Sequence, residues 1–563
     1  MKKSLKFLAL VLVVSVFFSM SIACRRGDGT VIDTSRTQLT VGVYTGAYKD
    51  EVSQETIKRF EELYKDVEFE KGKKGVQVVV SPDGKYLGTT LTGVSHNYTP
   101  EVFLTETCYY YDLVAAGDLL EITDVVTSSM QYDFVTKQTY ADRENTTFRD
   151  KMENGYDDYL NVGTDENPKY YAVPNDQTFY GLIYDINLFE DNLLYFAEDQ
   201  SDDPFIENIN QTRSAGPDGE KGTYDDGLPA TYEEFYSLCD RMIESKIIPI
   251  LYPGAAPQYV TAFLAELWAD YEGRDQFMLN YKMDGSMATD LISVSDDGKV
   301  TKEADVAING DNGYLTYSKQ AGRYYSLKFL ETLLTSKHNN TGYFDPDLNG
   351  LSHITAHDKF VGSKYEGAKA IGMMVDGVWW AKEAKDTIDR YTNEKGLKPE
   401  DKKWGVMPLP KADETKLGAS TRVDVNYSLG FIKASCPEEK IPVAKAFLQF
   451  IATEQSLREF TNEFGLFKAY KMNIDENSEF YKGLPYYTQY LWQIHENDDI
   501  LIPCDNNDKY KQIAADTSLI LHGWDSIIDN VPRQDPVSVL GKGSITAEQY
   551  FNGLYKNYLN VWQ

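Results

Sequence analysis

The stretch Gln38-Leu39-Thr40-Val41-Gly42-Val43-Tyr44 alternates apolar and small or polar residues as a strand does. Asp50 to Tyr64 follows, with Ile57, Phe60 and Leu63 at helical spacing, and then Val76-Gln77-Val78-Val79-Val80. Strand, helix and strand at this spacing predict the start of a parallel sheet with crossover helices. A third short strand is predicted at Glu101-Val102-Phe103-Leu104, ahead of a tyrosine-rich turn and an amphipathic stretch from Leu113 to Leu120. The order then recurs. Tyr170-Tyr171-Ala172-Val173-Pro174 and Tyr180-Gly181-Leu182-Ile183-Tyr184 read as strands, and Tyr232 to Ser245, carrying Phe235, Leu238 and Met242, reads as a helix. The pattern predicts two α/β lobes.

Upstream of the first strand, Lys2, Lys3 and Lys6 precede an apolar run from Phe7 to Met20, and Ser21-Ile22-Ala23-Cys24 follows. The run is shorter than the roughly 20 residues a bilayer-spanning helix needs, and the polar stretch Arg25 to Gln38 is no stop-transfer pattern. It reads as a cleaved export leader over residues 1–23. Its end resembles a bacterial lipoprotein signal, which implies lipidation of Cys24 and membrane anchoring there, with residues 24–38 as a tether. Ser21 stands where lipoproteins usually have leucine, and the rival reading is an ordinary leader cut near Ala23. Either reading places the mature chain outside the cytoplasm.

The 563 residues are 42% hydrophobic and can bury more than one sizeable core. A formal net charge of −31 argues against nucleic acid or an anionic membrane surface as partner. Cys108, Cys239, Cys436 and Cys504 are widely spaced with no CxxC pair, so they read as buried thiols rather than a zinc or disulfide framework. The 41 tyrosines supply flat faces with polar edges, the surface chemistry that holds sugars.

A series of short segments carries a resemblance to extracellular solute-binding proteins of ABC importers, in the large group that takes up carbohydrates. They are Tyr171-Ala172-Val173-Pro174, Gly181 to Asp185, Leu228 to Phe235, Gly372-Met373-Met374-Val375-Asp376-Gly377-Val378-Trp379-Trp380, Trp404 to Pro410, Ser428 to Ile432, Ala444 to Ile451 and Phe464-Gly465-Leu466. The resemblance runs from about Leu39 to Tyr470; the acidic stretch Leu188 to Leu228 and the tail from Met472 depart from it. It implies a two-lobed, periplasmic-binding-protein-like α/β fold of type II, with discontinuous lobes joined by hinge strands. The N-lobe would comprise residues 39–179 and 428–475, and the C-lobe residues 180–427 and 476–563. Gly181 and Gly430 would absorb the hinge rotation. It also implies a monomer that captures an oligosaccharide, leaves it chemically intact and passes it to ABC permease subunits.

In the resembling family the aromatic at the position of Trp379 stacks on a sugar ring, and the turn before it, with Asp376, faces the cleft. Removing the Trp379 ring is therefore expected to weaken binding at least tenfold with little effect on folding. Strand ends and the loops after them, where open α/β sheets bind ligands, add Tyr44, Glu106, Asp176, Trp268, Arg422 and Asp424 as candidates. Each has a plainer reading as a surface charge or a ring packed beside a sheet.

Gly216 to Gly227 sets Asp218, Glu220, Thr223, Asp225 and Asp226 among four glycines. Concentrated oxygen donors with glycine-freed carbonyls suit calcium, although the EF-hand register is absent. The loop looks like calcium loops of some clostridial-type solute-binding proteins; the alternative is a solvated acidic turn. No other cofactor is expected. His353 and His357 lack the glutamate of an HExxH zinc motif, and no P-loop, dinucleotide or GxSxG pattern is present. The rivals to a transport role are a secreted glycoside hydrolase, whose paired carboxylates one sequence does not reveal, and a sensing or adhesive lipoprotein.

Overall fold

The computed structural model describes residues 31–44, 51–83, 98–107, 109–199, 203–336, 341–348, 350–363, 365, 367–425, 427–514, 524, 526–528 and 531–562. The leader, Cys24 and Cys108 lie outside these residues. The strands that frame the site are β1 (Thr37–Val43), β2 (Val76–Pro82), β3 (Val102–Glu106), β4 (Ala172–Pro174), β5 (Tyr180–Asp185), β6 (Ile248–Leu251), β7 (Ile371–Gly377), β8 (Trp404–Val406), β9 (Thr421–Val423), β10 (Ser428–Ile432) and β11 (Asp499–Leu501). The helices used below are α1 (Gln54–Leu63), α2 (Gln258–Lys282), α3 (Ala321–Thr335), α4 (His353–Gly362), α5 (Trp380–Glu383), α6 (Ile441–Ile451), α7 (Tyr486–Asn497) and α8 (Ala547–Trp562).

One sheet has the order β2-β1-β3-β10-β4 and the other β8-β5-β7-β6. In the first, β1 runs parallel to β2 and β3, as the opening strand–helix–strand pattern predicts. The sheet is nonetheless mixed, because β10 enters from the far end of the chain and pairs antiparallel with β3 and β4. In the second, β6 and β7 are parallel while β5 runs antiparallel to β7 and β8. Every residue of β7 is buried, which explains its unbroken apolar reading.

α1 starts where the Ser53 hydroxyl accepts the Glu55 N–H and lays Ile57 and Phe60 under the first sheet. Phe60 meets Phe447 and Phe450 of α6 edge-on at 5.2 and 5.3 Å between ring centroids. The tail packs on the second sheet's side. The Tyr184 and Tyr490 hydroxyls lie 3.2 Å apart, joining β5 to α7, and Tyr324 of α3 donates to Glu548 of α8 at 3.0 Å. β11 runs parallel to β9.

Two lobes result, and the chain passes between them beside itself. Val425 N–H donates to the Thr178 carbonyl at 3.1 Å, so the segments entering β5 and β10 lie together. Gly181 and Gly430 stand inside ladders, opposite Asp376 and between Leu104 and Val173 respectively. The ladders hold both. Cys239, Cys436 and Cys504 are buried free thiols, and among the described residues no helix is long and apolar enough to cross a membrane.

Candidate functional site

The carboxyl ends of β1 and β3 and the start of β10 bring Tyr44, Glu106 and Ser428 to one edge of the first sheet; Ser428 stands opposite Glu106 in the ladder. Asn175 and Asp176, just past β4, complete that edge, where Asn175 N–H donates to the Ser428 carbonyl at 2.9 Å. Asp176 is buried and ion-paired with Lys468 at 3.0 Å. Lys468 also donates to Asn175 Oδ1 at 2.5 Å, and the Asn175 amide donates to Glu51 at 2.9 Å. Burial lifts the Glu51 carboxyl well above the usual range, and Asp176 adds to the rise while Lys468 opposes it.

The facing wall comes from the second lobe. The Trp379 ring stands edge-on to Tyr180, with centroids 5.1 Å apart and planes at 80°, and Tyr180 meets Tyr259 in the same way at 5.3 Å. Trp379 folds back over Gly377, where a Cβ would lie 2.3 Å from the indole Cη2. Glu383 closes α5, one helical turn beyond Trp379.

Charged groups of the two walls lie near enough to act on one another. Glu106 is pushed up to about 8 by burial first and then by Asp176, Glu383 and Asp424. Glu383 is pushed up to about 7 by burial and Asp376, against the pull of His357 and the Trp379 indole N–H. Burial also raises the Tyr44 hydroxyl, aided by Glu106 and Glu383 from opposite lobes. Aromatic rings and carboxylates around an interlobe space suit a polyhydroxylated ligand: rings take C–H faces and carboxylates accept from hydroxyls.

Tyr44, Glu106, Asp176 and Trp379 therefore gather at the cleft. Four candidates need correction. Trp268 lies inside α2, which is buried on nearly all sides and broken at Gly273; its indole donates to Gln320 at 2.9 Å and its ring carries the Arg323 guanidinium at 4.6 Å, so it belongs to the second lobe's core. Arg422 is fully buried over Phe179 and donates to Asp498 at 2.5 Å, tying β9 to the tail instead of presenting its guanidinium to the cleft. Asp376 is buried one layer below Trp379, where its carboxylate accepts from Gly377 N–H at 2.7 Å and meets His357 Nε2 at 2.8 Å. Asp424 is buried at the crossing and accepts the Tyr156 hydroxyl. Sequence reading missed Glu51, Tyr180, Tyr259, Glu383 and Lys468. Only Glu383 carried a local signal, four residues after Trp379 on a helical face.

In the acidic loop, Asp225 is buried and accepts from the Thr223 hydroxyl at 2.6 Å and the Asp218 N–H at 3.1 Å. Glu220 N–H donates to Asp218 at 2.7 Å and Gly222 N–H to Asp226 at 2.9 Å. Asp226 Oδ1 is buried without a hydrogen-bond partner. Burial pushes Asp225 up to about 7, with Thr223 and the Asp218 N–H opposing and the Asp218 carboxylate adding. The loop's own N–H groups and the Thr223 hydroxyl thus occupy Asp218, Asp225 and Asp226, and among the described residues the loop's carboxylates do not converge as one metal-holding group.

A family model described as bacterial extracellular solute-binding protein matches residues 51–457. The chain belongs to that family. No curated protein matches this solute-binding protein in sequence. Its fold is similar to that of a binding protein of an ABC transporter from Bifidobacterium animalis subsp. lactis in complex with mannobiose. That pair shares 13% identity over 94% of this chain and 97% of the other, at a TM-score of 0.54. A chitin oligosaccharide binding protein is similar at 15% identity over 90% and 94%, TM-score 0.51. A probable secreted solute-binding lipoprotein from Streptomyces coelicolor is similar at 12% identity over 94% and 100%, TM-score 0.51.

Proposed function

We propose that this solute-binding protein captures an oligosaccharide between its lobes and delivers it unaltered to an ABC permease, working as a monomer held to the membrane through lipid on Cys24. The observation that carries the reading is the pairing of the Trp379–Tyr180–Tyr259 aromatic wall with Glu106 and Tyr44 across the interlobe space. The mannobiose and chitin oligosaccharide ligands of proteins with this fold support the class of ligand. A ligand touching both walls favours the closed arrangement, so binding shifts the population toward the form a permease receives. The lobes correspond to residues 39–179 with 428–475 and residues 180–427 with 476–563. A calorimetric screen of oligosaccharides, with a reducing-end assay on the same samples, tests the reading: saturable binding without new reducing ends is expected. Turnover would establish a hydrolase, and a screen with no binder would remove the carbohydrate assignment.

Calcium in the acidic loop is proposed as a structural ion held by Asp225, Asp226 and Asp218, with Glu220 beside them. It would neutralise carboxylates packed into one turn. Chelation should lower the melting temperature and added calcium should restore it. Partition of the Cys24→Ala chain into the aqueous phase of a detergent extraction, with the wild type in the detergent phase, is expected for the lipid anchor.

A further inference from the structure

We propose that His357, Asp376 and Glu383 hold a zinc-type divalent cation directly beneath Trp379. The three come from separate elements, α4, β7 and the end of α5, and one donor atom from each lies within 4.8 Å of the others. One imidazole nitrogen with two carboxylate oxygens is a zinc donor set, leaving the fourth tetrahedral place to water. Bonds of about 2.0–2.2 Å would put such donors roughly 3.4 Å apart, which small side-chain rotations reach.

Charge and hydrogen bonding both point to a missing cation. The His357 and Asp376 side chains are 1% and 0% exposed, and the imidazole is the partner in the one ion pair either carboxylate makes among the described residues. Asp376 and the half-buried Glu383 thus bring two carboxylates to one imidazole. Glu383 Oε2 is buried with no hydrogen-bond partner, while His357 turns Nε2 toward Asp376. A cation between them would take that oxygen and Nε2 as ligands. The spacing of His353 and His357 along one helix does not reveal this site, because the partners of His357 arrive from a strand and a second helix. The ion would also fix Glu383 and, through it, the indole above.

The test uses the full mature chain stripped of metal by chelator, with cobalt(II) alone as the optical probe and zinc as competitor. One equivalent of cobalt is expected to give the intense visible bands of tetrahedral coordination, and zinc should abolish them. His357→Gln and Glu383→Gln should each weaken cobalt binding more than tenfold, while Asp225→Asn, in the acidic loop, should leave the bands unchanged. Should His357→Gln fail to fold by circular dichroism, Glu383→Gln decides. Absent bands in the wild type, bands that survive both cleft substitutions, or bands that vanish with Asp225→Asn would overturn the assignment.

Discussion

Gly377→Ala tests the placement of Trp379 without removing its ring. An alanine Cβ at this position would lie 2.3 Å from Cη2 and 2.4 Å from Cζ2 and Cζ3 of the indole. Carbon atoms settle at about 3.5–4.0 Å, so the ring must retreat by more than about 1 Å. Gly377 lies in ordinary β geometry and has no positive φ, so the backbone accepts alanine and the effect is steric. Overpacking costs about 1–3 kcal/mol, and losing the edge-on contact with Tyr180 about 0.5–1.5 kcal/mol. A destabilisation of about 2–4 kcal/mol is expected, read as a lower urea midpoint at constant slope. Binding sites hold their geometry to within about 0.5 Å, so affinity for a saccharide found in the screen should fall about tenfold or more. Gly372→Ala is the control on the same strand: its Cβ meets the flexible end of Met242 at 2.8 Å, which can yield, and affinity should hold. An unchanged midpoint and unchanged affinity in Gly377→Ala would refute the folded-back indole. This substitution is more telling than Trp379→Ala. With Trp379 only 5% exposed, truncation should cost about 3–5 kcal/mol of folding stability, contrary to the expectation from sequence.

Lys468→Met leaves Asp176 and Glu51 buried without their cation and should destabilise by about 3–5 kcal/mol; a thermal shift within error would contradict the buried network. Glu106 has a folded pKa near 8 against an ordinary 4.5, so its contribution is fully present below 4.5 and lost as pH rises through 8. Glu106→Gln keeps the neutral form, so its melting temperature should match the wild type at acidic pH and exceed it increasingly toward pH 8; a pH-independent difference would count against the burial. Asp498→Ala strands a buried guanidinium and should cost about 3–5 kcal/mol, whereas Arg422→Met with Asp498→Leu should cost clearly less, measured by denaturant unfolding.

Local pattern carried the sheets far better than it carried the walls of the site. β1, β2, β3 and β5 announce themselves by period and flanking turns, and the opening parallel order follows from the helix between β1 and β2. The antiparallel entry of β10 has no local signature, since pairing partners hundreds of residues apart leave no mark on period. Trp268 was misplaced because a helix apolar on nearly all its faces gives no direction for any one ring. Arg422 reads as a strand-end cation, and only the tail, which carries Asp498 to it, reveals its role in tying β9 to that tail. Tyr259 and Lys468 reach the cleft through packing alone. Asp376 shows the subtler limit: a turn read as facing the cleft carries a carboxylate buried against the imidazole from α4.

The position of β10 inside its sheet sets a timetable for making this molecule. β4 and β3 share no ladder except through β10, and the Asn175–Ser428 contact spans 253 residues of chain. While the ribosome is still producing the second lobe, the first has two raw sheet borders and no means of sealing them. A nascent chain of this design is expected to keep those borders open until its later part emerges. It also means that fragments ending before residue 428 should clump through those borders rather than fold.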